Sequence, residues 1–278
     1  MKTAMNLLLW TAAADRSHFP LLKNIKNWGF DGVELPMFSH DGSPWKELDK
    51  TLDDLELGRT VVACLPAGTS IISDDAGERQ AAIDFLLGCV DNCAVVKADT
   101  LAGPFYSPVG KLVGRGPNDD ERQRAAEGFR TVGEHAQKAG IALSIEPLNR
   151  FETYFINTCA DSAKLVDAIG LDNVGFLFDT FHSNIEEKKV DTAIRHAARQ
   201  INHVHISAND RATPGEDHVR WEEVFSALKS IEYDKWLTIE AFGAWLPELA
   251  GATCIWRTMA PSEEHVARHG LDFIKRSW

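Results

Sequence analysis

A chain of 278 residues with 44% hydrophobic and 25% charged side chains has the make-up of a soluble globular protein, with ample material for one large core. Its formal charge of −12 excludes the sequence-independent nucleic-acid binding of basic proteins, in which Lys and Arg displace counterions from phosphates. No apolar run approaches the roughly 20 residues that a membrane-spanning helix needs, so neither nucleic acid nor a membrane is an expected partner.

Met1–Trp10 carries one lysine and only a short apolar patch, so a secretory signal is not expected there. A strand is expected over Met5–Leu9 and a helix over Phe19–Trp28. Gly32–Leu35 (G-V-E-L) reads as a second strand, with a helix near Pro44–Leu57. Thr60–Leu65 reads as a third strand, Ala76–Asn92 as a strong helix, and Ala94–Thr100 as a fourth strand. A Gly- and Pro-rich loop, Leu101–Asn118, leads into the longest helix, Asp119–Ala139, whose acidic first turn and terminal Gly140 match helix-end chemistry. The fifth strand, Ile141–Ile145, is followed by a helix over Cys159–Ile169. The sixth runs from Val174 to Asp179 with a helix over Val190–Arg199, and the seventh from Ile201 to Ser207 with a helix over Trp221–Ser230. The eighth runs from Trp236 to Glu240 and precedes a terminal helix, Ser262–Arg276. The cysteines Cys64, Cys89, Cys93, Cys159 and Cys254 form no C-x-x-C pair; an odd number without spacing fits free thiols in a reducing cytoplasm. Cys89 and Cys93, four apart on a helix, read as core.

No linker or composition break divides the chain, so residues 1–278 are expected to form one domain. Eight βα units with short apolar strands predict a parallel sheet closed into a (β/α)8 TIM-type barrel. An open doubly wound sheet is the rival, but no G-x-G-x-x-G follows the first strand.

Four of these strands carry a metal-type side chain at their C-terminal tips: Ile141–Ile145 leads to Glu146, Val174–Phe178 to Asp179, Ile201–Val204 to His205 and Trp236–Ile239 to Glu240. In a barrel of parallel strands those ends share one face, where active sites are built, so the four are expected to converge. One carboxylate at a strand end is ordinarily a helix cap or a surface group; four ligand types on four successive strand ends are a pattern. Three carboxylates and one imidazole suit a divalent ion of intermediate hardness, Mn²⁺ before Co²⁺ or Mg²⁺, and no thiolate favours Zn²⁺. His203 and His205 are two apart and share a strand face; His205 is nearer the tip, and His203 reads as a core or supporting histidine. Glu152, His182 and Arg211 follow in the adjacent loops, Arg211 offering a guanidinium to an oxygen-rich ligand.

E-P-L-N-R-F-E at 146–152, F-D-T-F-H-S-N-I-E-E at 178–187, H-V-H-I at 203–206, N-D-R at 209–211, P-G-E at 214–216, W-E-E-V-F at 221–225, I-E-A-F at 239–242 and I-W-R-T-M at 255–259 resemble the D-tagatose 3-epimerase family. That family also holds the D-psicose (allulose) and L-ribulose 3-epimerases and lies within the sugar isomerases with a barrel like that of endonuclease IV. The resemblance covers most of the second half and is diffuse in the first. It implies a homo-oligomer, dimer or tetramer, acting on free ketoses with a Mn²⁺- or Co²⁺-type ion. It implies Glu146, Asp179, His205 and Glu240 as ligands, Glu152, His182 and Arg211 as sugar-holding groups, and Phe242 and Cys64 at the far end of the sugar. Three departures bear on which sugar is used: Ala241 where many members have Pro, Ala208 where an acid is common, and a longer loop at 103–116.

The expected chemistry is C3 epimerisation, in which Glu146 and Glu240 flank the sugar, one removing the C3 proton and the other returning a proton to the opposite face through a cis-enediolate. His182 and Arg211 would orient the oxygens, and Glu152 would hold a hydroxyl or relay a proton. The loops 103–117 and 243–254 are lid candidates, and Trp10, Trp45 and Trp245 offer an apolar wall. Gly243 and Arg257 are thin material for a phosphate cradle. Two related activities use the same proton abstraction: β-elimination from a 3-keto sugar or 3-keto glycoside, and aldose–ketose isomerisation. An abasic-site nuclease and a sugar- or metal-binding module without turnover are more distant alternatives.

Overall fold

Eight short parallel strands alternate with helices and hydrogen-bond in sequence order, the eighth closing onto the first. The structure, a computed structural model, describes residues 1–278. In order, β1 is Lys2–Asn6, α1 Phe19–Trp28, β2 Gly32–Pro36, α2 Trp45–Asp54, β3 Gly58–Val62, α3 Ala76–Val95, β4 Thr100–Gly103, α4 Asp119–Lys138, β5 Ala142–Ile145 and α5 Cys159–Ile169. There follow β6 Val174–Asp179, α6 Thr180–Glu186, α7 Val190–His196, β7 Ile201–Ile206, α8 Trp221–Ser230, β8 Trp236–Ile239, α9 Pro247–Ala252 and α10 Glu263–Ser277. This is the expected (β/α)8 barrel. Because the helices cover the outside, the strands are buried on both faces and read as continuous apolar runs. One contiguous cluster of buried side chains joins the barrel interior to its helices. No helix is long and apolar enough to cross a membrane.

Several boundaries differ from expectation. The first strand is Lys2–Asn6 rather than Met5–Leu9: the Asn6 side chain accepts the Leu8 N–H at 2.8 Å and turns Leu7–Leu9 into a single 3-10 turn. The third strand ends at Val62, short of Leu65. The fourth shares only Thr100 with the expected Ala94–Thr100. Ala94 and Val95 complete α3, the chain reverses at Lys97 with φ +55°, and β4 begins only at Thr100. The helices α6 and α9 were not anticipated. Asp179 starts α6 immediately after β6, its side chain capping the His182 N–H at 2.9 Å.

The strand ends are brought together tightly. Gly103, at the tip of β4, has φ +143°, and a Cβ there would meet the Ala63 carbonyl at 2.0 Å. Only glycine allows that approach, and the Gly103 carbonyl then accepts the Glu146 N–H at 2.9 Å, fixing the residue that follows β5. Above the strands, Leu8, Val62, Phe242, Ala250 and Ile255 form a second, smaller apolar cluster joined by Phe38, Leu249 and Met259.

Candidate active site

Glu146, Asp179, His205 and Glu240 stand at the C-terminal ends of β5, β6, β7 and β8. Their donor atoms lie within 4.8 Å of one another, and all four are buried. His205 Nδ1 is 3.3 Å from Glu240 Oε1 and 3.7 Å from Asp179 Oδ2. Asp179 divides its oxygens: Oδ1 caps α6, while Oδ2 has no hydrogen-bond partner. His205 divides its ring in the same way. Nε2 lies 2.7 Å from Glu34 Oε1, an acceptor, which assigns the proton to Nε2. Nδ1 is left as a buried lone pair without a hydrogen-bond partner. Buried polar atoms of this kind are costly unless something polar meets them, and here both face the same point. The donor set and these two orphaned atoms fit a divalent cation.

The electrostatics agree. Burial, and then the charge of Glu240, push Glu146 well above the ordinary carboxylate range. The same two causes raise Asp179 to about 7. Burial works against a charge on His205, but Glu34 and then Glu240 more than offset it, so without a cation the ring takes a second proton on Nδ1, the nitrogen whose lone pair a cation would use. These are the shifts of a centre short of positive charge.

Glu34, in the middle of β2, is a residue that the sequence reading does not single out. It is fully buried and accepts from four donors: Asn6 Nδ2 at 2.9 Å and His205 Nε2 at 2.7 Å on Oε1, Thr60 Oγ1 at 2.8 Å and His203 Nε2 at 2.9 Å on Oε2. Burial opposes its charge, and His205 and His203 together hold it ionised, well below the usual range. His203 therefore lies beneath the cluster as a supporting residue, as its spacing suggested.

A cavity of about 330 Å³ opens above the four residues. Glu146, Glu152, His182, Arg211 and Glu240 supply its polar side, and Leu8, Val62, Cys64, Leu148 and Phe242 face them. His182 Nδ1 accepts the Asn149 backbone N–H at 3.0 Å. That puts the proton on Nε2, which lies 3.3 Å from Arg211 Nη2 and 3.6 Å from Glu146 Oε1 at the edge of the cavity. Burial, and then Arg211, keep the ring neutral. Arg211 has φ +60°, a strained setting for a side chain with a Cβ. Its guanidinium lies over Phe181 at 4.1 Å and Phe242 at 5.2 Å and pairs with Glu152 at 3.3 Å. Burial, reinforced by Glu146, Glu240 and Glu152, pushes the Cys64 thiol far up and keeps it uncharged. Pro104, Pro108 and Val109 from one long loop, and Leu249, Ala252 and Thr253 from the other, also line the cavity. The tryptophans do not: Trp10 stacks on Trp28, Trp45 is buried with its indole N–H donated to the His40 carbonyl, and Trp245 is partly exposed. Phe38 and Phe242 form the aromatic part of the wall instead. Gly243 and Arg257 are not among the lining residues either, and Arg211 is the only Lys or Arg that is.

The family model described as xylose isomerase-like TIM barrel matches residues 22–277. A probable ketose 3-epimerase of Synechocystis sp. is 34% identical over 100% of this chain and 97% of its own length. An L-ribulose 3-epimerase of Mesorhizobium japonicum is 30% identical over 98% of this chain and 93% of its own. Among solved structures, that of an L-ribulose 3-epimerase superposes with a TM-score of 0.94 at 30% identity, covering 99% of this chain and 94% of the other.

Proposed function

The chain belongs to the xylose isomerase-like TIM barrel family, and from that premise we propose that it is a metal-dependent ketose 3-epimerase acting on free keto-sugars. The observation that carries this reading is the pair of buried carboxylates, Glu146 and Glu240, entering one cavity from β5 and β8 around a point that His205 Nδ1 and Asp179 Oδ2 also face. Full-length relatives named as ketose and L-ribulose 3-epimerases support it.

Glu146, Asp179, His205 and Glu240 would hold a divalent ion, Mn²⁺ before Co²⁺ or Mg²⁺ given the oxygen-rich donor set. When bound, such an ion supplies Lewis-acid polarisation of the sugar's carbonyl and adjacent hydroxyl oxygens. One glutamate takes the C3 proton and the other delivers one to the opposite face, so inversion needs both carboxylates. His182 donates Nε2–H to a sugar oxygen while remaining neutral. Arg211 offers guanidinium donors to the same polar edge, held there by Glu152 and by the faces of Phe181 and Phe242. Glu152 has a second oxygen for a hydroxyl. Phe242 and Cys64 meet the far end of the sugar. The apolar wall excludes water from the exchanging protons, and the loops 103–117 and 243–254 act as lids over it. With Arg211 as the only lining guanidinium or ammonium group, already paired with Glu152, the cavity suits an uncharged sugar better than a phosphorylated one.

Two further aspects belong to this reading. Phe151 and Trp256 are 71% and 76% exposed, which supports burial against a second copy in a homo-oligomer; light scattering giving the mass of one chain would contradict it. Five free thiols support a reducing, cytoplasmic setting, and secretion in a fractionation experiment would contradict that.

The test is incubation of the Mn²⁺-loaded enzyme in D₂O with fructose, allulose, tagatose and ribulose, followed by removal of metal and enzyme and proton NMR. Deuterium at C3 of an epimeric product is expected, and Glu146→Gln or Glu240→Gln is expected to slow it by at least about 100-fold. Label at C1, or an unsaturated product, would instead point to isomerisation or elimination, for which one carboxylate suffices.

A further inference from the structure

A second group of metal-type side chains lies on the periphery, sharing no residue with the barrel centre and lining none of its cavity. His265 and His269 are one turn apart on α10, so their rings share a helix face. The rings stack with centroids 3.9 Å apart. Glu216, on the loop between β7 and α8, brings Oε1 to 2.8 Å from His265 Nε2 and 3.9 Å from His269 Nδ1. The three donor atoms lie within 4.8 Å of one another.

The turn that carries Glu216 is ordered, and the Glu216 carboxylate is hydrogen-bonded to His265. Asp217 accepts the Gly215 N–H at 2.8 Å, the Val219 N–H at 2.7 Å and the Trp221 indole N–H at 2.9 Å, which rigidifies the turn. Gly215 has φ +90° and sits on the Phe273 ring of α10, where a Cβ would come within 2.5 Å. The turn thus approaches the helix as only glycine permits. On the helix side, the His265 N–H donates to Ser262 Oγ, the cap of α10, at 3.1 Å. The backbone that carries the three side chains is thus already ordered; an ion would have to tilt the stacked rings and replace the hydrogen bond between Glu216 and His265.

We propose that Glu216, His265 and His269 form a second metal site, on the surface, for a borderline divalent ion of the Zn²⁺ class. Two imidazoles and one carboxylate are an established donor set for zinc, with a fourth position open to water. The side chains of Glu216 and His269 are 50% and 60% exposed, so the open position faces solvent. The barrel centre, with three carboxylates and one imidazole, suits a harder ion. One chain therefore carries two sites of different preference, and zinc at the outer one ties the loop that bears Arg211 to the C-terminal helix.

The test is calorimetric titration of Zn²⁺ into the full-length chain, wild type and His269→Ala. Wild type is expected to bind one more zinc ion per chain than the variant, or the same ion at least about 10-fold more tightly, a lower bound set by the effect of removing even an outer-sphere partner. Because the readout is a difference, it holds whether or not zinc also enters the barrel centre, and its failure is separate from failure of the epimerase reading. Histidine ring proton NMR gives a second readout. The resonances that vanish in His265→Ala and His269→Ala are expected to move with the first equivalents of zinc, and turnover of His269→Ala with Mn²⁺ is expected to match wild type. Equal zinc binding by wild type and His269→Ala, with those resonances unmoved, overturns the proposal.

Discussion

Glu34 sits under His205 and His203 with four donors on its two oxygens, and its charge decides which His205 nitrogen is free for a metal. Glu34→Gln keeps the volume but replaces an acceptor oxygen with an NH₂ donor, which then confronts a ring N–H or the Asn6 and Thr60 donors. With the NH₂ toward His205, that ring gives up the bond or takes the other tautomer, which protonates the nitrogen that faces the ion; with the NH₂ toward His203, His205 keeps only a neutral amide acceptor in place of a carboxylate. The expected result is a 10–100-fold loss of metal affinity, the usual effect of losing a partner behind a ligating histidine, with turnover partly recovered at saturating metal. A chelator-buffered titration giving wild-type affinity would show that Glu34 does not set the ring. At this scale the sequence was uneven. That Asp179, His205, Glu146 and Glu240 would lie together is legible because each stands at or beside the C-terminal end of an apolar strand. Glu34 lies mid-strand among apolar neighbours, and its only signal is a charge on a wholly buried strand. Its histidine partners are 169 and 171 residues away, a separation that no local pattern encodes.

At the scale of elements, helix ends were readable where capping chemistry is local and unreliable where only hydrophobicity speaks. The acidic first turn and Gly140 mark the two ends of α4 in the sequence, and the structure adds a reciprocal capping box between Asn118 and Glu121 at its start. The run A-V-V at 94–96 gives no direction, since the last turn of a buried helix and the first residues of a buried strand look alike; β4 was misplaced there. Glu121 does more than cap. It takes a bidentate pair from Arg115 at 2.9 Å and the Tyr154 hydroxyl at 2.8 Å, tying α4 to the loop after β4 and to the segment after β5, both of which reach the cavity. Burial opposes its ionisation, but Arg115, the Asn118 N–H and Tyr154 outweigh this and bring it from 4.5 to about 2. The folded value lies below the unfolded one, so the folded state binds fewer protons between them. The stability this carboxylate contributes is complete above about pH 4.5 and is lost as pH falls toward 2. Allowing for the half-exposed Arg115, Glu121→Gln is expected to cost about 1–2 kcal/mol at pH 7. Wild type and variant should converge in urea midpoints as pH falls below 4.5; a gap that stays constant to pH 2 would assign the loss to packing instead.

Across the whole molecule, the eight βα units were legible as a count, and closure follows because eight strands suffice to fill a barrel with side chains. The cost of the chemistry is also a whole-molecule property. The chain carries a formal charge of −12 and still gathers three carboxylates at its centre, with Asp179 raised to about 7 and Glu146 well up. Both directions mean that folding without a cation must protonate or crowd these groups, so the metal-free fold is held below the stability its core allows. A cation that binds only the folded state reverses this, contributing about 2.7 kcal/mol at a hundredfold excess over its dissociation constant. For a chain of this size that corresponds to a rise in Tm of roughly 5 °C. Asp179→Asn separates the two effects. It keeps Oδ1 to cap α6 but removes one charge, so it is expected to melt at or above the metal-free wild type and to gain little from Mn²⁺. A variant that melts well below the metal-free wild type would mean that Asp179 serves the helix more than the ion. A wild type whose Tm ignores both Mn²⁺ and chelator would mean that Glu146, Asp179, His205 and Glu240 do not hold a cation at all.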